Sequence, residues 1–201
     1  KTAVLGLGYG MGGPKYATTV RNAGVEITDF YALEVVSMYR GTYPLIPAFW
    51  KKADGFLLAM LDPTQYGHKY GPLVIQPNAL ELPNGMSLQY KDLDYVHNPD
   101  GYEYKSYKGT EHIYGGRLTE NIVQALARII ITDALVRIDE RVKGYGGRVV
   151  LTVHDEIVVV APQHNPDGIL YDLLGDMCIP PEWALGLPLH AEGGYDHSYS
   201  K

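Results

Sequence analysis

Apolar residues recur at helical spacing in one long stretch of this chain, and β-branched runs follow immediately after it. In residues 117–143 the stripe is Leu118, Ile122, Leu126, Ile129 and Ile130. Gly115-Gly116 precede it and Gly144 ends it, so a long amphipathic helix is predicted. Residues 148–153 and 157–160 are short β-branched runs. The polar trio His154-Asp155-Glu156 between them predicts the tip of a buried antiparallel hairpin. Upstream, the pattern predicts helices over 15–23, 29–39 and 48–60, with Asp29 as an N-cap and Gly24 and Gly41 as stops. Residues 62–115 are punctuated by Pro and Gly, and short strands are predicted at 73–76, 79–82 and 87–90. Residues 90–107 interleave Tyr with Lys, which suits either a solvated β-ribbon or a base-stacking surface. Past the hairpin, 167–177 reads as a helix broken by Pro180-Pro181. Residues 186–192 read as an edge strand, because Pro188 excludes a central one, and 193–201 as a polar, solvent-facing tail. Together these elements predict an α+β fold.

The hairpin tip is where chemistry is expected. Adjacent carboxylates at the end of an apolar strand pair repel each other unless water or a cation lies between them. Asp155 and Glu156 therefore suit a hard divalent ion, and equally a solvated polar turn. No Asn-Gly or Asp-Gly relaxes the turn. On the long helix, Arg117, Asn121, Gln124 and Arg128 fall within roughly a 60° wedge. Their donors suit phosphate, sugar and minor-groove acceptors; the other reading is a solvated face.

The first residues support two readings. Gly8-Tyr9-Gly10-Met11-Gly12-Gly13 matches a dinucleotide fingerprint, with Asp29 and Glu34 downstream, which makes a nicotinamide-dependent oxidoreductase the remote alternative. Pro14 and the missing strand–helix alternation oppose it. The second reading is a helix ending at Gly10, with Lys1, Leu5, Gly8 and Tyr9 on one side, able to meet a nucleotide or simply to pack.

Composition narrows the class. The 201 residues are 46% hydrophobic, enough for a substantial core, and the net charge of −6 confines any nucleic-acid surface to a local patch. Cys178 is the single cysteine, so no internal disulfide forms. No apolar run is long enough to span a bilayer and no signal peptide is visible, so a soluble, cytoplasmic protein is expected.

These pieces resemble a known family. Lys1 followed at the end of its helix by Tyr9-Gly10 looks like the fingers-helix signature of family A DNA polymerases. Val153-His154-Asp155-Glu156 looks like their second palm motif. Residues 114–128 resemble the helix between the two in phage members, as do Leu82-Pro83-Asn84-Gly85 and residues 186–192. The resemblance implies a fingers part over 1–115 and the C-terminal part of a palm over 116–201. It implies helical fingers beside an antiparallel palm sheet with the long helix packed on it. The implied activity is DNA-directed DNA polymerisation, transferring nucleotides from dNTPs to the 3′-hydroxyl of a primer on template DNA with two Mg²⁺ ions.

Residue by residue, Asp155 resembles the metal-binding carboxylate and Glu156 its supporting neighbour. His154 resembles the residue at the primer end, and Lys1 the lysine on the incoming triphosphate. Tyr9 resembles the ring beside the templating base, and Arg117, Asn121 and Gln124 the minor-groove readers. Leu5 stands where many members carry Phe or Tyr, so strong rejection of dideoxynucleotides is expected. Met86 replaces an expected Arg and Ile129 an expected Asp, which removes a DNA or phosphate contact and a local ion pair. The first palm motif with its own aspartate, an arginine one turn before Lys1, the thumb and any proofreading domain are expected upstream. The chain is thus expected to be a C-terminal portion, inactive alone and completed by a longer or second chain. The alternative from another class is a non-catalytic DNA-binding or assembly subunit of a split polymerase.

Overall fold

The computed structural model describes residues 2–97 and 100–199. It is an α+β structure whose strand pairings are all antiparallel among the described residues. They form two compact units, one ending at Ala125 and the other beginning at Leu126.

The first unit opens with helices α1 (Thr2–Leu7), α2 (Gly13–Asn22), α3 (Asp29–Thr42) and α4 (Leu45–Ala59). Pro14 sits in the first turn of α2, where its missing N–H costs nothing. Thr28, not Asp29, caps α3: its side chain accepts from the Tyr31 amide at 3.1 Å while its backbone is still extended. Asp29 instead meets Arg21 at 2.6 Å, near the positive end of the helix. Leu7, Tyr16, Ala17, Ala32 and Val36 form the core that joins α1, α2 and α3, and the two alanines let the helices approach closely. α4 begins earlier than its apolar spacing predicts because Pro47 is tolerated within its first turn.

A meander β1 (Lys69–Tyr70), β2 (Leu73–Gln76), β3 (Ala79–Glu81), β4 (Ser87–Gln89) follows, paired in chain order. Phe56 of α4 packs on Tyr70 of β1 at 4.9 Å between ring centroids. A second sheet is the ribbon β5 (Asp94–His97), β6 (Asp100–Ser106), β7 (Gly109–Ile113). The Tyr-rich run is therefore a ribbon, with Tyr95 edge-on to Tyr102 at 5.1 Å and to His97 at 5.3 Å. Helix α5 (Gly115–Gly144) starts in the first unit and continues in the second. Leu118, Ile122 and Ile129 of its predicted stripe are buried, and Leu126 and Ile130 are half-buried.

In the second unit α5 turns through residues 145–147 into β8 (Arg148–Val153), which pairs with β9 (Glu156–Val160). Gly147 is required there: a Cβ would stand 2.3 Å from the Val160 carbonyl oxygen. Ile138 of α5 and Ile169 and Leu173 of α6 (Pro166–Met177) form the core against Val149, Ile157 and Val159. The long helix thus packs on the hairpin sheet. Arg141 holds the buried Asp176 of α6 through two nitrogens, and Arg137 donates to the Asp176 carbonyl at 2.9 Å.

Residues 186–192 form no strand. Among the described residues no strand pairs with them, and Pro188 removes one of their own donors. Among the described residues, no helix is long and apolar enough to cross a membrane.

Candidate functional site

The hairpin tip is a two-residue loop, His154-Asp155, closed by the Val153–Glu156 pair. His154 has φ of 57°, the left-handed region, while Asp155 does not share it. Tight hairpins reserve such positions for Gly or Asn, so a histidine here stores strain. Both loop residues are exposed and Glu156 is half-buried.

The strand pair is not buried on both sides, as the two apolar runs suggested. A bulge between Val149 and Leu151 switches the facing of β8, so Leu151 and Val153 pair with Val158 and Glu156 on the face away from the core. Val150, Leu151 and Val160 are accordingly about half exposed. Glu156 therefore stands on the open face. The chain end reaches back to it: Tyr199 donates to Glu156 Oε2 at 3.1 Å, Tyr195 donates to Asp167 Oδ1 at 2.9 Å, and Gln163 lies 3.3 Å from His197 Nδ1. Residues 193–199 are solvent-facing, as their polarity predicts, but they are strapped down.

Asp155 and Glu156 fit a hard divalent cation in the donor they offer, carboxylate oxygen at an accessible apex. They do not surround one, and among the described residues no group of three His, Cys, Asp or Glu side chains converges on a metal position.

In the first unit the predicted fingers-helix residues lie at its opening. Lys1 lies outside the described residues, and so does the Leu5 side chain. α1 closes with a left-handed glycine cap: the Met11 amide donates to the Gly6 carbonyl at 3.3 Å, the Gly10 amide to Leu7 at 3.4 Å, and Gly10 has φ of 88°. The expected helix stop at Gly10 is this cap. α1 occupies the place where a dinucleotide fold needs a strand, and no parallel strands follow among the described residues, so the oxidoreductase reading loses its structural premise.

Tyr9 sits half-buried in that cap, held from several sides. Trp50 Nε1 of α4 donates to the Gly8 carbonyl at 3.0 Å, and Arg40 Nη2 of α3 donates to the Met11 carbonyl at 3.4 Å. A Cβ on Gly116 would stand 2.6 Å from the Tyr9 carbonyl oxygen, so the start of α5 touches the same turn. Burial first, and then the hydroxyls of Tyr43 and Tyr9, raise the Tyr39 hydroxyl above its ordinary pKa.

Of the polar row on α5, Arg117 is drawn onto the ribbon. Arg117 donates to Glu111 at 2.5 Å and to the His112 carbonyl at 2.9 Å. Hydrogen bonds from Ser106 and then Arg117 hold the Glu111 carboxyl below its usual range. Asn121 donates to the Tyr90 hydroxyl at 2.9 Å, and Gln124 bonds Glu120 at 3.3 Å. Arg128 is exposed.

The structure brings together Tyr9, Gly116 and the Arg117 end of α5 in one unit, and His154, Asp155 and Glu156 in the other. Trp50, Arg40, Glu111, Tyr90 and Tyr199 complete these groups without a sequence signal. All but Glu111, six residues from Arg117, come from segments remote in the chain, where no periodicity marks them.

No family model matches the chain. Among curated proteins, a DNA polymerase of Bacillus phage SP02 is 28% identical over 215 aligned positions, covering 100% of this chain. The chain spans 32% of the length of that relative. The chain is thus similar along its whole length to part of a phage DNA polymerase.

Proposed function

We propose that this chain is the C-terminal fingers and palm portion of a family A type, template-directed DNA polymerase. The observation that carries the reading is the strained, accessible His154-Asp155-Glu156 apex on a one-sided antiparallel hairpin. Supporting it are the similarity to a phage DNA polymerase along the whole chain and the glycine-capped turn that presents Tyr9.

In this reading Asp155 and Glu156 would hold Mg²⁺ together with at least one further carboxylate from outside these residues. Mg²⁺ held there would supply Lewis acidity toward the primer 3′-hydroxyl and the leaving pyrophosphate. Glu156, steadied by Tyr199, keeps its carboxylate on the open face. His154 contacts the primer end. Lys1 and Leu5 meet the triphosphate and sugar of the incoming dNTP, and Tyr9 lies beside the templating base. Arg117, Asn121 and Gln124 face the minor groove of the primer–template duplex, which requires Arg117 to exchange Glu111 for a base or sugar acceptor.

The second reading is a non-catalytic DNA-binding or assembly module, which needs no third convergent carboxylate. Asp155→Ala separates the two. Primer extension by the polymerase that carries these residues is expected to fall by about 100- to 1,000-fold with primer–template affinity retained. Unchanged extension by Asp155→Ala would overturn the catalytic assignment.

A further inference from the structure

We infer that Trp50 and Arg40 are positioning residues for Tyr9, setting through its backbone how well the ring discriminates between incoming nucleotides. The inference rests on the polymerase reading of Tyr9, and none of the family motifs includes either residue.

Tyr9 is the last residue before a left-handed glycine, at the point where a helix leaves its carbonyls without partners. The peptide group before it, and the carbonyl two residues after it, are taken up by side chains from other helices. The Trp50 indole N–H holds the Gly8 carbonyl at 3.0 Å, and the Arg40 guanidinium reaches the Met11 carbonyl at 3.4 Å. The two side chains brace each other, with the guanidinium carbon 5.5 Å from the centre of the indole. On the third side Gly116 leaves room for the Tyr9 carbonyl, and the Gly8 Cα faces the Tyr39 hydroxyl, 3.4 Å from where a Cβ would be.

Arg40 gains little stability from this place. Its Nε is buried with no hydrogen-bond partner, and no carboxylate pairs with its charge in the described contacts. An aliphatic side chain would fill the same space without leaving a donor unmet. A cation kept there at a cost, hydrogen-bonded to the turn and lying over the ring that holds the turn, is accounted for by placing that turn. A rotation of the Gly8–Tyr9 peptide swings the ring of Tyr9 at its far end, so a small backbone release becomes a larger displacement where a base pair is judged.

The test uses the active polymerase that contains this chain. Trp50→Phe keeps the ring and removes the N–H; Arg40→Gln keeps the stem and removes the charge. For each, KM for the correct dNTP is expected to rise about tenfold and the misinsertion ratio by a similar factor, with kcat and primer–template Kd within about twofold. Amide exchange is expected to quicken at Gly10 and Met11 and to hold at Ala17 in the core. Unchanged KM and misinsertion in the variants would overturn the inference. If Trp50→Phe also loosens Ala17, it has unfolded the unit and Arg40→Gln alone decides by the same criterion. A wild-type enzyme that adds no nucleotide would instead sink the polymerase reading itself.

Discussion

Gly115→Ala is expected to destabilise the first unit, although alanine is the better helix former. Gly115 is the first residue of α5. A Cβ there would stand 1.9 Å from the Trp50 carbonyl oxygen, 2.8 Å from its carbon and 2.9 Å from Asp54 Cγ. Two of these are backbone atoms of α4, which cannot rotate aside, so α4 and α5 must separate. Separation also stretches the 2.5 Å bond from the Gly115 amide to Asp54 Oδ1, which satisfies one of the free donors of the helix start. Overpacking costs about 1–3 kcal/mol and a lost N-terminal carboxylate contact about 1 kcal/mol. Helix propensity returns at most about 1 kcal/mol, and less at a first-turn position. The net expectation is a loss of about 1–3 kcal/mol. Gly55, inside α4 with nothing within 4 Å of its Cβ direction, is the control. Gly55→Ala is expected to stabilise by about 0.5–1 kcal/mol. Urea unfolding followed by Trp50 fluorescence, in a Trp183→Phe background that leaves Trp50 the only tryptophan, reads both. If Gly115→Ala matches or exceeds the parent while Gly55→Ala behaves as expected, the close packing of α5 on α4 is wrong.

The remaining expectations concern the other site residues. Burial pushes the Tyr90 hydroxyl up to about 12, against the smaller lowering effect of Asn121. The unfolded chain ionises near pH 10, so this stability is complete below pH 10 and is lost as pH rises toward 12, by about 2–3 kcal/mol. Alkaline melts should show this loss in the parent and not in Tyr90→Phe; equal curves refute it. His154→Gly relieves a left-handed residue and is expected to raise stability by up to about 1 kcal/mol while weakening primer binding. A loss of stability would show that the histidine side chain holds the turn. Leu5 offers packing without a hydroxyl, so incorporation of a dideoxynucleotide as readily as its deoxy counterpart would refute its assigned place.

Much of the scaffold was legible because the chain punctuates it. Glycine pairs and a glycine stop fixed α5 to within a few residues, and the polar trio between β-branched runs located the hairpin tip. The bulge at residues 149–151 was not legible. Alternation alone puts Leu151 on the same face as Val149, and only packing against Ile138, Ile169 and Leu173 decides which face is filled. The edge strand at 186–192 failed because a strand needs a partner that a local pattern cannot name.

The same division runs through the candidate site. Its chemistry-bearing residues announce themselves locally, as carboxylates where apolar residues belong or a ring before a glycine. The contacts that orient them do not: Tyr199 reaches Glu156 across 43 positions, Trp50 reaches Gly8 across 42 and Arg40 reaches Met11 across 29. Separations of that size leave no periodic trace. Asn78, Asp92 and Asn165 take a left-handed φ as turn-forming Asn and Asp do; two features break the local rules, His154 at left-handed φ and the half-buried Arg40 with its Nε unmet. Both breaks fall beside residues already singled out for chemistry, one at the acidic tip and one behind Tyr9. Their position is what the proposed roles of the tip and the turn would ask of a strained residue and an unmet donor.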